Sequence, residues 1–219
     1  NGCILIPVFG LGRTQEILAQ LALMMGGSRI KTQPVYIGGL GRVFTEIYDL
    51  VAHRTHRQHT NLMLTEALNL VVLERSQLEK MRLRGGRIFV LTAGMMSEKT
   101  AAHDLALRMI GDERQAIFFV GYADPDTPGG RLKGSKPDET FLFSAGGGEV
   151  TRRCEVQDFD LTAHANREEL VEFVGQVSPR VVVLGHGEDD SRQWVEDQIR
   201  SRYPRIDVFQ PAPGQTVEV

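Results

Sequence analysis

Cysteine is nearly absent from these 219 residues: Cys3 and Cys154 are the only two. No disulfide framework follows from them, and a reducing, cytoplasmic setting is the expectation. Long hydrophobic runs are missing as well. None approaches the roughly 18 residues of a membrane span, and no charged-then-apolar secretory leader is recognisable, so no membrane partner is expected. Charge of one sign is not in excess either. The 25 basic and 28 acidic residues leave −3, which excludes a broad basic field as the main route to a nucleic acid. Lysine is scarce within the basic set, at 5 against 20 arginines. Arginine grips phosphate or carboxylate in a bidentate fork and would suit a phosphodiester ligand; solvated arginines from a compositional bias are the plain alternative. With 42% hydrophobic residues, 23 glycines and 9 prolines, the chain reads as globular rather than disordered or fibrous.

Several signatures also fail. Gly10-Leu-Gly12 begins a G-x-G-x-x-G, but Gln15 stands where the third glycine belongs, and Gly39-Leu-Gly41 fails at Phe44. No G-x-x-x-x-G-K-[ST] and no G-x-S-x-G occurs, so a nucleotide-binding module is weakly supported and a serine elbow is excluded. No initiator Met opens the chain and its first strand-like run starts at Cys3; the expectation is a piece of a longer protein.

What is present is an alternation of short apolar runs and helical periods. Strands are expected over 3–9, 34–37, 87–91 and 115–120, with helices over 13–25, 43–52, 62–84 and 100–110; Leu70-Val-Val-Leu73 is ambiguous within the third helix. Strand, turn and helix in repetition imply right-handed βαβ units and a mostly parallel sheet, whose ligands gather at the carboxyl ends of the strands. Those ends are 9–13, 92–96 and 121–124. Residues 124–148, rich in Pro, Gly and Ser, read as a long functional loop followed by an edge strand or hairpin. One or two strands over 149–161, a helix over 166–176, a strand over 180–184, a helix over 190–201 and closing strands over 206–209 and 216–219 complete the pattern. A soft boundary near residue 158 divides it into 1–158 and 159–219.

Six histidines are candidates for chemistry. His53, His56 and His59 form H-x-x-H-x-x-H, but helical steps of three rotate the side chain by about 300°, so the first and third diverge by about 120°. With no carboxylate or Cys beside them they read as a solvated stretch. His103, next to Asp104 in a helix, reads as structural or surface. His164 and His186 each stand between an extended stretch and a helix, in Thr162-Ala-His164-Ala-Asn166 and Leu184-Gly-His186-Gly-Glu188. A rigid scaffold presents catalytic groups at such positions, and histidine there can ligate a metal or act as a general acid near neutral pH.

The order of these segments resembles a known family. Ile4-Leu-Ile-Pro-Val-Phe-Gly-Leu-Gly-Arg13-Thr-Gln-Glu-Ile-Leu18 is similar to the opening signature of the β-CASP domain in metallo-β-lactamase-fold RNA nucleases. That family includes ribonuclease J-type enzymes and the cleavage-and-polyadenylation nuclease. Pro34-Val-Tyr-Ile37, Val90-Leu-Thr-Ala-Gly-Met-Met96, Phe119-Val-Gly-Tyr122 and Thr127-Pro-Gly-Gly-Arg-Leu132 continue it. Thr162-Ala-His164-Ala-Asn166 looks like the S-A-H-A-D motif, with Thr for Ser and Asn for Asp, and His186-Gly-Glu188 looks like the H-G-E motif.

The resemblance implies an α/β fold: a β-CASP domain over 1–158 with a mostly parallel sheet flanked by helices, and over 159–219 the carboxy-terminal segment of a metallo-β-lactamase αββα fold. It also implies zinc-dependent phosphodiester hydrolysis of RNA. Two zinc ions would activate the attacking water, with His186 as one ligand and His164 protonating the leaving oxygen or steadying the transition state. Arg13, Thr92, Gly94, Tyr122, Gly129, Arg131 and Thr162 would line the RNA path. The family's H-x-H-x-D-H motif is not in the chain, so most zinc ligands would lie outside it, and the chain alone is expected to bind zinc poorly and to cleave nothing. RNA is the expected partner, and a homodimer stays open. The alternative is a catalytically dead member that serves as an RNA-binding or scaffold subunit.

Overall fold

The computed structural model describes residues 2–161 and 164–218, and the chain divides into two compact units, Asn1–Leu161 and Thr162–Val219. In the first unit the order is β1 (Cys3–Pro7), α1 (Arg13–Gly26), β2 (Val35–Ile37), α2 (Gly39–Leu50), α3 (Leu64–Ala67), β3 (Leu70–Val72), α4 (Arg75–Lys80), β4 (Arg87–Leu91), α5 (Ala101–Met109), β5 (Ala116–Phe119), α6 (Pro128–Gly134), β6 (Thr140–Leu142), β7 (Glu149–Thr151) and β8 (Glu155–Asp158). The second unit holds α7 (Arg167–Val177), β9 (Val181–Val183), α8 (Asp189–Arg202) and β10 (Asp207–Phe209).

Six strands form one sheet in the order β3-β2-β4-β1-β5-β8, and every neighbouring pair is parallel. Period-two alternation sends side chains of the central strands into two separate cores. Cys3, Leu5, Phe89, Leu91, Ile117 and Phe119 enter one face and meet Leu105, Ala106 and Met109 of α5. Ile6, Val8, Ile88 and Val90 enter the other and meet Ile17, Leu18 and Ala22 of α1. Both faces are therefore covered, which is why these strands read as continuous apolar runs. The mostly parallel, helix-flanked α/β architecture expected from the sequence is the one observed. β6 and β7 make a separate antiparallel hairpin, and β9 pairs with β10 in parallel in the second unit. Among the described residues no helix is long and apolar enough to cross a membrane.

Three local expectations are corrected. The helix expected over 62–84 is broken, because Leu70-Val-Val72 is β3, paired with β2 at the sheet edge; the adjacent valines favour a pleated strand, and two short helices remain on either side. Residues 216–218 form no strand: Pro211 and Pro213 precede them, and no neighbouring strand takes up their backbone. The 124–148 loop contains α6, whose start is coded by Thr127 at the N-cap and Pro128 at the first helical position.

Candidate functional site

The carboxyl ends of β1, β4 and β5 lie side by side, and the segments leaving them build one surface. Pro7, Val8, Phe9, Arg13, Gly94 and the run Phe119–Tyr122 line a dimple there, with a volume of about 10 Å³. That is room for about one water, so the place is not a small-molecule pocket. It is a small, mostly apolar dimple in the floor formed by the strand-end segments. Three of the candidate residues, Arg13, Gly94 and Tyr122, meet in it.

Arg13 opens α1, and its guanidinium is hydrogen-bonded to Glu16 one turn on. The turn that carries it is fixed from below. Thr14 Oγ1 donates to the Phe9 carbonyl at 2.7 Å. Gln15, 3% exposed, accepts from the Gly12 N–H at 2.8 Å and donates through Nε2 to the Gly10 carbonyl at 3.2 Å and to Thr45 Oγ1 at 3.1 Å. The residue that spoils the glycine fingerprint is thus the one that clamps the Gly10–Gly12 turn onto α2. In the sequence Gln15 reads only as a missing glycine; a polar side chain at an apolar-face position of α1 is the signal of its role.

Thr92 and Gly94 follow β4. Thr92 Oγ1 lies 3.2 Å from where a Cβ on Gly39 would stand, and its methyl lies 3.5 Å from such positions on Gly10 and Gly41, so Thr92 sits among the glycine turns after β1 and β2. At Gly94 a Cβ would press within 3.3 Å of Phe9, and the turn is closed by Met96 N–H donating to the Ala93 carbonyl at 3.0 Å. Gly129, at the start of α6, donates its N–H to the Met95 carbonyl at 2.9 Å, joining α6 to that turn. Arg131 points elsewhere: it donates to the Asp126 carbonyl at 2.9 Å and lines a separate cleft of about 330 Å³ beside Ser135 and Phe141. Tyr122 is 59% exposed.

His164 and His186 belong to the second unit, and Thr162 lies outside the described residues. His164 is exposed two residues ahead of Asn166, the N-cap of α7. Asn166 Oδ1 accepts from Glu169 N–H at 2.9 Å while Glu169 Oε2 accepts from Asn166 N–H at 2.8 Å, a reciprocal capping box. Asn caps a helix as well as Asp does, so the asparagine keeps the helix start that follows His164. His186 is exposed in the turn between β9 and α8, with φ 62°, followed by Gly187 at φ 132°. Among the described residues no group of three or more His, Cys, Asp and Glu side chains could hold a metal ion. One histidine supplies a single ligand where zinc takes about four, so the described residues do not by themselves fit a zinc site.

The other histidines fall out of the site. His53, His56 and His59 are exposed, and His53 Nε2 accepts from Arg54 Nε at 3.1 Å. His103 is buried: it stacks on Phe143 and bridges Ser144 Oγ at 3.2 Å and Asp104 at 3.3 Å.

Comparison with known proteins adds two family models. The Beta-Casp domain matches residues 14–132, and the Zn-dependent metallo-hydrolase RNA specificity domain matches residues 149–211. Among curated relatives, RNase aCSPSF2 of Saccharolobus solfataricus is 28% identical over 220 residues, covering 100% of this chain and 42% of the relative. Probable RNase MJ4 of Methanocaldococcus jannaschii is 30% identical over 195 residues, 86% of this chain and 42% of its own length. Endoribonuclease YSH1 of Mycosarcoma maydis is 24% identical over 209 residues, 93% and 23% respectively. The chain spans less than half the length of these relatives.

Proposed function

The chain belongs to the β-CASP family, and from that premise we propose that it is the substrate-gripping part of a zinc-dependent RNA-processing nuclease that hydrolyses phosphodiester bonds. The observation that carries this reading is the meeting of Arg13, Gly94 and Tyr122 on a shallow floor at the ends of three adjacent parallel strands, where open α/β sheets bind ligands.

The chemistry assigned to the chain's own residues is binding and proton transfer. Arg13 holds a backbone phosphate through its guanidinium, exchanging its contact with Glu16 for the ligand. Gly94 leaves room for Phe9 to pack on the turn after β4 and so shapes the floor, and exposed Tyr122 offers a ring on which a base stacks. Thr92 and Gly129 adjoin the turns that build this floor; Arg131, in its separate cleft, and Thr162 are further candidate RNA contacts. His164 protonates the oxygen that leaves the phosphorus. His186 would supply one nitrogen to a zinc site most of whose ligands would come from the rest of the full-length protein. When bound, zinc ions would polarise the phosphate and activate water. A cytoplasmic setting belongs to the same proposal.

The test is hydrolysis of single-stranded RNA by the full-length protein, with and without a chelator. Cleavage that stops on chelation and returns with zinc supports the reading, and cleavage indifferent to both overturns it. RNA binding without any cleavage, zinc present, selects the scaffold alternative. This chain alone is expected to show no turnover.

A further inference from the structure

We infer that the opposite pole of the sheet carries an RNA-backbone exosite, built on Lys80, Arg82 and Arg84 ahead of β4. The identity of the polyanion rests on the nuclease reading above; the charge pattern does not. Because all six strands run parallel, the segments leading into them gather at one edge, and the strand-end dimple lies at the other. Five residues of β4 separate the two, about 17 Å at 3.3 Å per residue.

Residues 80–87 read Lys-Met-Arg-Leu-Arg-Gly-Gly-Arg, four cations without a carboxylate. The segment alternates. Met81 and Leu83 pack against the core, while Lys80, Arg82 and Arg84 between them are exposed. Its backbone is held from several sides: Arg87 Nη1 donates to the Arg82 carbonyl at 2.8 Å, Cys3 Sγ to the Arg84 carbonyl at 3.0 Å and Gly86 N–H to the Gly2 carbonyl at 3.0 Å. Arg108, at the end of α5, donates to the carbonyls of Leu78 and Met81. The cations therefore stand on a fixed strip rather than a floppy loop. Exposed Arg29 and Lys31 lead into β2, the neighbour of β4, and extend the strip along the edge.

Some arginines of this unit are neutralised locally, as Arg75 is by Asp104 at 2.7 Å and Arg114 by Asp112 at 2.7 Å, and others, such as Arg108 and Arg131, spend their guanidinium on backbone carbonyls. Among the described residues Lys80, Arg82 and Arg84 make no ion pair. Glu79 and Glu113 are exposed in the neighbouring segments and are outnumbered. A line of spaced, unpaired cations in a chain of net charge −3 fits a polymer of phosphates better than one phosphate, which calls for convergent donors. Nothing there reads base edges, so binding is independent of sequence and strongly dependent on salt. RNA bound at both poles would be gripped beyond the scissile bond, which favours long substrates.

The test compares the full-length protein with its combined Lys80→Gln, Arg82→Gln, Arg84→Gln variant. The probes are oligouridylate of about 4 and about 30 nucleotides, lengths below and beyond one typical single-strand site. For the long RNA the plot of log affinity against log salt should lose about 2 units of slope, at about 0.7 per lost phosphate contact, and affinity at low salt should fall at least about tenfold. Turnover of the short RNA and the melting temperature should not move. Unchanged long-RNA affinity and slope, in a parent that binds RNA, overturn the exosite alone. A parent that binds neither RNA overturns the nuclease reading and the exosite together.

Discussion

Gln15 Nε2 of α1 donates to Thr45 Oγ1 of α2 at 3.1 Å, and both side chains are buried. This contact ties the turn that carries Arg13 to the helix beside it. Gln15→Ala leaves the Gly12 N–H and the Gly10 carbonyl without a side-chain partner and should cost about 1–3 kcal/mol in denaturant unfolding. Thr45→Ala should cost less, since the Gly41 carbonyl, which accepts from Thr45 Oγ1 at 2.7 Å, keeps its helical partners. The double variant should fall short of the sum by about 0.5 kcal/mol or more; strict additivity would show that the two residues are not coupled.

Gly129 has no room for a side chain. A Cβ there would stand 2.8 Å from the Met95 carbonyl, inside any real contact, while at Gly134 on the same helix it would meet nothing within 4 Å. Gly129→Ala should destabilise by about 1–3 kcal/mol and push α6 off the turn after β4. Gly134→Ala should be neutral or slightly stabilising. The same thermal melt reads both, and equal effects would remove the proposed docking of α6 on that turn.

Burial pushes the Cys154 thiol up to about 11 from its ordinary value near 9, chiefly through desolvation, with Arg152 opposing; Cys3 is raised for the same leading reason. A thiol whose folded value lies above its unfolded one stabilises the fold fully below about pH 9 and loses that contribution as pH climbs through about 11. Stability should therefore decline between pH 9 and 11, less steeply in Cys154→Ala than in the parent. At pH 8 a thiol reagent should label neither cysteine until denaturant is added. Fast labelling of the native chain would contradict this burial.

The sequence reveals most where one physical rule dominates. β1, β4 and β5 are legible because burial on both faces leaves no polar alternation to misread, and the chemistry of parallel sheets then points to Phe9–Arg13, Thr92–Met96 and Gly121–Asp124. What escapes is decided between segments distant in sequence. Leu70-Val-Val72 is a strand because β2 offers it an edge, which its own periodicity cannot show. Gln15 matters because Thr45 lies across from it, and His103 is buried because Phe143 and Ser144 come round from the hairpin region to cover it. Arg131 sits near the strand ends in sequence, yet its guanidinium is turned to Asp126 in its own loop.

The roles proposed for His164 and His186 can be told apart, though a rate measurement alone would merge them. With His186 as the zinc ligand proposed above, His186→Ala in the full-length protein should lower zinc occupancy, read by metal analysis, together with the rate. His164 stands before the capped start of α7, so His164→Ala should leave zinc in place and lower the rate by about 10²–10⁴-fold, the usual worth of a positioned general acid. The loss should be smaller for an RNA whose leaving oxygen is replaced by a better leaving group, because protonation then matters less. Asn166→Ala controls for damage to the helix start. It removes the cap at a cost of about 1 kcal/mol and, if His164 acts chemically, should change the rate far less than His164→Ala does. Equal losses in these two variants would reduce His164 to a residue that orders the loop, and full zinc with full activity in His186→Ala would remove it from the metal site.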